Sequence, residues 1–215
     1  DLAFAPDGTL FITFGDGSTG GDPLNASQDL SNPLGDIIRI KPEVDSTYSI
    51  PPDNPFVQAS GDTLPEIWAS GLRNPFRIAP DPNAAGTRFY LNDVGQGVWE
   101  EVDELQAGAD FGWYCREGAH DNSTSGKCNP RPANMIDPVF EYQHGGTNVP
   151  GTTVSGCNSI TGGAFVPNGV WPAAYNGTYL LADYICGAMF RIPTTGTPAA
   201  PITSAFAFAT SLGGS

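Results

Sequence analysis

Apolar and polar positions along the chain alternate in short runs separated by turn residues. Residues 2–16, Leu-Ala-Phe-Ala-Pro-Asp-Gly-Thr-Leu-Phe-Ile-Thr-Phe-Gly-Asp, predict two strands around a Pro-Asp-Gly turn. Pro presets φ there, and Gly takes the positive φ that a tight turn needs. A near-copy runs over 76–93, where Phe-Arg-Ile-Ala-Pro-Asp-Pro leads through a longer turn to Thr-Arg-Phe-Tyr-Leu-Asn-Asp. A third copy, at 163–183, runs from Gly-Ala-Phe-Val-Pro-Asn-Gly through an insertion to Gly-Thr-Tyr-Leu-Leu-Ala-Asp. Each copy is an apolar strand, a turn, and an aromatic return strand that leads to an aspartate: Asp16, Asp93 and Asp183. Two copies continue into a strand ending in Arg-Ile, Ile37-Ile38-Arg39-Ile40 and Met189-Phe190-Arg191-Ile192.

Repeated sets of short antiparallel strands are the sequence signature of β-propeller blades. The predicted fold is therefore all-β. Asp16, Asp93 and Asp183 are roughly 75 to 90 residues apart, wider than a minimal blade, so long loops must be inserted. Segments 17–34, 42–64, 94–97 and 112–160, rich in Gly, Asn, Asp, Pro and Ser, are read as those loops. In residues 98–107, Val98, Val102 and Leu105 have helical spacing and Trp99 with Val102 do not alternate cleanly, but their context predicts a strand. About three blades are accounted for, whereas a closed ring takes about four to eight. Residues 1–215 are accordingly expected to be a partial propeller domain, with the remaining blades outside this sequence.

Composition narrows the partners. The net charge is −14, and Lys41 and Lys127 are the two lysines. Nucleic acid would be repelled, with no basic stripe to offset the repulsion. No run reaches the roughly 18 apolar residues of a membrane helix, and no basic-then-apolar leader opens the sequence. Cysteines at 115, 128, 157 and 186 allow three pairings. No two lie at metal-ligand spacing, so disulfides are expected. With the sequons at Asn25, Asn122 and Asn176, they predict an oxidising, extracytoplasmic and glycosylated setting.

The chemistry concentrates around Ser70-Gly71-Leu72-Arg73-Asn74-Pro75-Phe76 and the stretch from Asp93-Val94-Gly95-Gln96-Gly97 to Asp110-Phe111-Gly112-Trp113. Arg73 and Asn74 offer directional donors for carboxylates or carbonyls. The Gly-flanked loop exposes backbone carbonyls, hard oxygen ligands suited to calcium. Glu100, Asp103 and Glu104 are expected on a solvated face beside Glu101. The recurring Asp16, Asp93 and Asp183 suit turn capping. Asp16 to Asp22 resembles a calcium loop but has Ser27 where the twelfth-position acid belongs. His144 and His120 are read as loop histidines.

Taken together, Gly71-Leu72-Arg73-Asn74-Pro75, Asp93-Val94-Gly95 with Glu101-Val102-Asp103-Glu104-Leu105, and Asp110 through Gly118 resemble the glucose/sorbosone dehydrogenase family. Leu10 through Gly17, Gln28-Asp29-Leu30, Leu34 through Ile40, Cys157, Ile160-Thr161-Gly162-Gly163 and Ala182 through Gly187 extend the resemblance over most of 1–192. The resemblance implies a six-bladed propeller using pyrroloquinoline quinone (PQQ) and calcium to oxidise a sugar. It implies that Asp16, Arg73 and Asn74 line the cofactor pocket and that the Gly95 and Gln96 carbonyls hold its calcium. A second calcium would be held by Glu101 and the Phe111 carbonyl. The same resemblance implies disulfides Cys115–Cys128 and Cys157–Cys186.

Three departures stand out. The family's general-base histidine would fall upstream of Asp1, so no catalytic residue is assigned within this chain. Val94 and Cys186 stand where characterised relatives carry polar or basic groups near the quinone. The alternative expectation is a non-catalytic secreted or cell-surface propeller serving as a binding or assembly module.

Overall fold

Each sheet begins from the turn chemistry read above. A computed structural model describes residues 1–194 and 201–212. In the first sheet, β1 (Leu2–Phe4) and β2 (Leu10–Thr13) form a hairpin, Leu2 opposite Ile12. At its turn the Ala5 amide bonds the Thr9 carbonyl at 2.9 Å, and Asp7 accepts from the Thr9 amide and hydroxyl. β3 (Ile37–Pro42) lies against β2 and pairs with both the short β4 (Tyr48–Ser49) and β5 (Ile67–Ala69).

The second sheet has the order β11-β8-β7-β6, built from β6 (Pro75–Pro80), β7 (Phe89–Asp93), β8 (Trp99–Glu104) and β11 (Phe140–Gln143). Between β8 and β11 the chain makes a two-stranded hairpin, β9 (Arg116–Glu117) with β10 (His120–Asp121). The third sheet, β12-β13-β14-β15, runs through β12 (Ile160–Phe165), β13 (Thr178–Asp183), β14 (Ala188–Pro193) and β15 (Phe206–Ala209). Three antiparallel meanders of this kind are β-propeller blades, as the repeat predicts. The strand expected over 98–107 is β8.

Two segments read as loop hold strands. Within 112–160 lie β9, β10 and β11, and within 42–64 lies β4. The signal for β11 is Phe140 and Tyr142 alternating with Glu141 and Gln143, buried against less buried. That run is only four residues long, too short for a periodicity reading to separate it from loop.

By contacts the chain divides into two units, residues 1–75 with 105–137 and residues 76–104 with 138–215. The first buries Phe11, Ile37, Ile67, Leu72, Phe111 and Trp113. The second is centred on Tyr90, Val102, Tyr142, Ile160, Tyr179 and Phe190.

The recurrent Pro-Asp turn has a structural use. In the first sheet Asp7 receives Arg39 Nη2 at 3.0 Å, and the guanidinium lies over Trp68, 4.8 Å from the ring centroid. In the second sheet Asp81 receives Arg88 Nη1 at 3.0 Å. An arginine thus locks the Asp turn in each, and cation–π packing supports it. In the third sheet Asn168 takes the Asp position and its side chain accepts the Gly177 amide at 2.9 Å.

Both disulfides are as the resemblance implies, Cys115–Cys128 and Cys157–Cys186.

Candidate functional site

The two motifs that concentrate the chemistry in the first unit are bound to each other through their backbones. The Ser70 amide bonds the Ala109 carbonyl at 2.9 Å, the Phe111 amide bonds the Ser70 carbonyl at 3.0 Å, and the Trp113 amide bonds the Gly71 carbonyl at 2.8 Å. Gly71 permits this approach. Its φ is +77°, and a Cβ there would lie 2.1 Å from Asp110 Oδ1 and 2.6 Å from the Gly112 nitrogen. The Asp-Phe-Gly-Trp stretch is thereby held against the turn that carries Arg73 and Asn74.

Asp16 joins the same cluster. Its amide donates to the Arg73 carbonyl at 2.8 Å. Its buried carboxylate receives Trp113 Nε1 at 2.8 Å, and the Ser18 amide and hydroxyl at 3.0 Å each. Asp16 therefore fixes Trp113 and the loop behind it. Arg73 is half-buried and Asn74 exposed.

Asp22 accepts from the Ala26 and Ser27 amides. Asp16 and Asp22 thus each cap a turn at the two ends of this segment. The Asn25 sequon is folded inward, since the Ser27 hydroxyl is buried on the Leu72 carbonyl at 2.9 Å. Asn122 and Asn176 are exposed. Phe111 is buried, 4% exposed.

Gly95 and Gln96 belong to the second unit, in the loop between β7 and β8, Gly95 buried and Gln96 exposed. Val94 beside them packs against the second unit's core, which accounts for an apolar residue there. Glu101 on β8 stands opposite Asp93 on β7 and Glu141 on β11. Three acids thus share one row across the sheet.

The solvated face expected for Glu100, Asp103 and Glu104 is corrected by the structure. Glu100 and Asp103 are 0% exposed and Glu104 is 4% exposed. β8 is an interior strand, and its carboxylates meet partners distant in sequence. Glu104 Oε1 receives Arg88 Nε at 2.9 Å. Glu100 receives the Ile160 amide at 3.0 Å through one oxygen and contacts His144 Nε2 at 2.6 Å through the other. Burial raises the Glu100 pKa above the usual carboxylate range, and the bonds from His144 and Ile160 oppose that rise. His144 is accordingly not a free loop histidine. Its side chain is 15% exposed, on the sheet face that carries Phe140 and Tyr142. That two-residue spacing was the available signal.

Asp183 caps its turn as expected, accepting the Ile185 and Cys186 amides, and it also takes Tyr142 Oη at 2.7 Å. It borders a cavity of about 240 Å³ lined also by Tyr184, Met189 and Leu212. Cys157 and Cys186 lie beside Asp183, the ligand atoms of the three within 4.8 Å of one another. With the two sulfurs joined to each other, no thiolate is present to ligate a metal.

An all-β chain of propeller blades, with an arginine-asparagine turn clamped to a Gly-rich aromatic motif, defines a propeller with the fold of the sugar dehydrogenases. The chain belongs to the Glucose / Sorbosone dehydrogenase family, whose pattern matches residues 1–172. It is 36% identical over 200 residues to the HIPL1 protein of Arabidopsis thaliana, a match covering 85% of this chain and 28% of that protein. It is 37% identical over 93 residues to the human Hedgehog-interacting protein, covering 42% of this chain and 13% of that one. The solved PQQ-bound aldose sugar dehydrogenase from Streptomyces coelicolor has the same fold, with TM-score 0.65 and 24% identity over 99% of this chain and 49% of that one. The chain thus spans about a quarter or less of these sequence relatives and about half of the solved structure.

Proposed function

We propose that the protein to which this chain belongs oxidises an aldose at C1, using PQQ and calcium in an extracytoplasmic compartment. The observation that carries this reading is the clamped turn: Asp16, Arg73 and Asn74 are drawn together on one backbone framework braced by Trp113. The donor set fits the cofactor. PQQ carries three carboxylates, and Arg73 and Asn74 supply a guanidinium and an amide to receive them. Asp16, its own oxygens already bonded, keeps that turn in place. The Gly95 and Gln96 carbonyls are hard donors of the kind calcium takes, and the Glu101 carboxylate and the Phe111 carbonyl are each donors of the same kind. PQQ held with calcium would supply the two-electron acceptor for oxidation at C1 of the sugar. The C1 hydroxyl loses its proton in the same oxidation, and no residue of this chain is assigned that proton. The paired cysteines support an oxidising compartment. We take residues 1–215 as part of a propeller domain whose other blades lie elsewhere in the protein.

A second reading is favoured by a specific observation. The match to HIPL1 covers 85% of the chain, and a further relative carries the name Hedgehog-interacting protein. Val94 and Cys186 are both committed to packing and a disulfide. On this reading the propeller is a non-catalytic, calcium-stabilised binding module.

Adding PQQ and calcium to the full-length protein separates the two. The enzyme reading expects a bound quinone absorbance, dye reduction with aldoses, and PQQ affinity about 10 to 100 times weaker in Arg73→Ala. Neither absorbance nor turnover in the unsubstituted protein would leave only the binding module.

A further inference from the structure

Asp36, at the start of β3 in the first unit, is 0% exposed, and neither of its carboxylate oxygens has a hydrogen-bond partner. Its backbone is satisfied: its amide bonds the Pro33 carbonyl at 3.3 Å, and its carbonyl receives the Phe14 amide at 2.9 Å. Only the side chain is left without a partner, and such a burial costs a carboxyl several kcal/mol unless something compensates it. The charges acting on Asp36 are those of Asp110 and Asp29, both acidic. The segments are also joined by geometry: the Gly35 carbonyl, next to Asp36, receives the Leu72 amide at 2.9 Å, and a Cβ on the preceding Gly71 would lie 2.1 Å from Asp110 Oδ1. Gln28 Nε2 donates to Asp110 Oδ1 at 2.8 Å and to the Trp113 carbonyl at 3.1 Å. Each of those oxygens takes one N–H of a neutral amide, which brings no net charge to offset the carboxylates. Asp29 is exposed at the edge of this group and bonds Ser31, so the group has an acidic side toward water.

We propose that Asp36 and Asp110, with the Trp113 carbonyl and the Gln28 side-chain oxygen after a half-turn of its amide, bind a calcium ion within the first unit. Every donor is a hard oxygen and two are carboxylates, the set that calcium takes with six to eight ligands. Imidazole and thiolate, which would favour zinc or copper, are not among them. The ion would supply the charge that the Asp36 carboxylate lacks. It would also tie the start of β3 to the Asp-Phe-Gly-Trp motif, and so to the turn carrying Arg73. The proposal holds whether or not the protein binds PQQ.

The test is a calcium titration of the full-length protein, stripped with chelator and followed by calorimetry, for the unsubstituted protein, Asp36→Asn, Asp110→Asn, Glu101→Gln and Asp36→Asn/Glu101→Gln. Asp36→Asn is expected to remove one calcium equivalent, or to weaken one at least tenfold, in either Glu101 background. Asp110→Asn is expected to weaken the same equivalent and provides the reading should Asp36→Asn fail to fold. Unchanged stoichiometry and affinity in whichever of these two variants folds would overturn the proposal and leave Asp36 neutralised by a proton. Loss confined to Glu101→Gln would also overturn it, while supporting the β8 site.

Discussion

Arg88 is the strongest point at which to test how the second unit is held together. Its side chain is 10% exposed and reaches two carboxylates each 4% exposed: Asp81 at 3.0 Å and Glu104 at 2.9 Å. It also bonds Tyr90 Oη at 2.9 Å, with its guanidinium 4.9 Å from that ring's centroid. Replacing it by methionine keeps most of the stem volume but leaves two buried anions without their cation. Removing one partner of a buried ion pair costs about 3–5 kcal/mol, because the remaining charge keeps its desolvation penalty. That corresponds to a drop of roughly two to four orders of magnitude in the folded-to-unfolded ratio. The assay is urea denaturation followed by far-UV circular dichroism with both disulfides intact. The midpoint should fall without a change of slope. Glu104→Gln in the Arg88→Met background should recover part of the loss, so that the two deficits add to less than their sum by about 0.5–3 kcal/mol. A loss under about 1 kcal/mol for Arg88→Met, or strict additivity in the pair, would refute the reasoning.

The remaining predictions concern the first unit's clamp, the disulfides and Asp36. Gly71→Ala forces an unfavourable φ and drives a Cβ into Asp110 and the Gly112 backbone, for a loss of about 2–5 kcal/mol. Gly8→Ala, whose φ is +83° with nothing within 4 Å, should lose only about 1–2 kcal/mol, and equal losses would contradict the close approach. Replacing both Cys157 and Cys186 by serine opens a link of separation 29 and should cost about 3.5 kcal/mol, against about 3 kcal/mol for Cys115 with Cys128 at separation 13. Thermal or urea midpoints of the two double variants, measured side by side, give the comparison. In calcium-free buffer, burial and the nearby acids push the Asp36 pKa up to about 9. The folded state then holds a proton that the unfolded chain has released above about pH 4, so this group's contribution falls as pH rises toward about 9. Asp36→Asn should therefore become progressively more stable than the unsubstituted protein between about pH 5 and pH 8, by up to about 1.4 kcal/mol per pH unit, and a gap that stays flat with pH would count against a protonated Asp36.

The fold was largely legible because its information is local. Pro-Asp-Gly and Pro-Asp-Pro turns flanked by aromatic strands announce hairpins within a few residues of themselves, and β1 with β2 and β6 with β7 follow directly. That Asp16 lies by Arg73 was implied by the resemblance rather than by any local pattern, because the two stretches are far apart in the chain and meet only through the Asp16 amide on the Arg73 carbonyl. The acids of β8 were misread because a run of carboxylates normally means solvent. What makes them buried is Arg88, His144 and the Ile160 amide, up to 60 residues away along the chain. The same reason hid the His144 pairing. Sequence shows a titratable side chain but not the strand that will lie beside it.

Lys127 carries a practical consequence. Its Nζ donates to the Gly21 carbonyl at 3.0 Å and to the Asp22 carbonyl, and it lies 4.4 Å from the Tyr114 ring centroid. The other lysine, Lys41, is exposed at the end of β3. Of the side-chain amines, an acylating reagent would therefore meet one open and one engaged. Within residues 1–215, a label placed on Lys41 would therefore leave the Lys127 contacts with the Gly21–Asp22 turn and Tyr114 undisturbed.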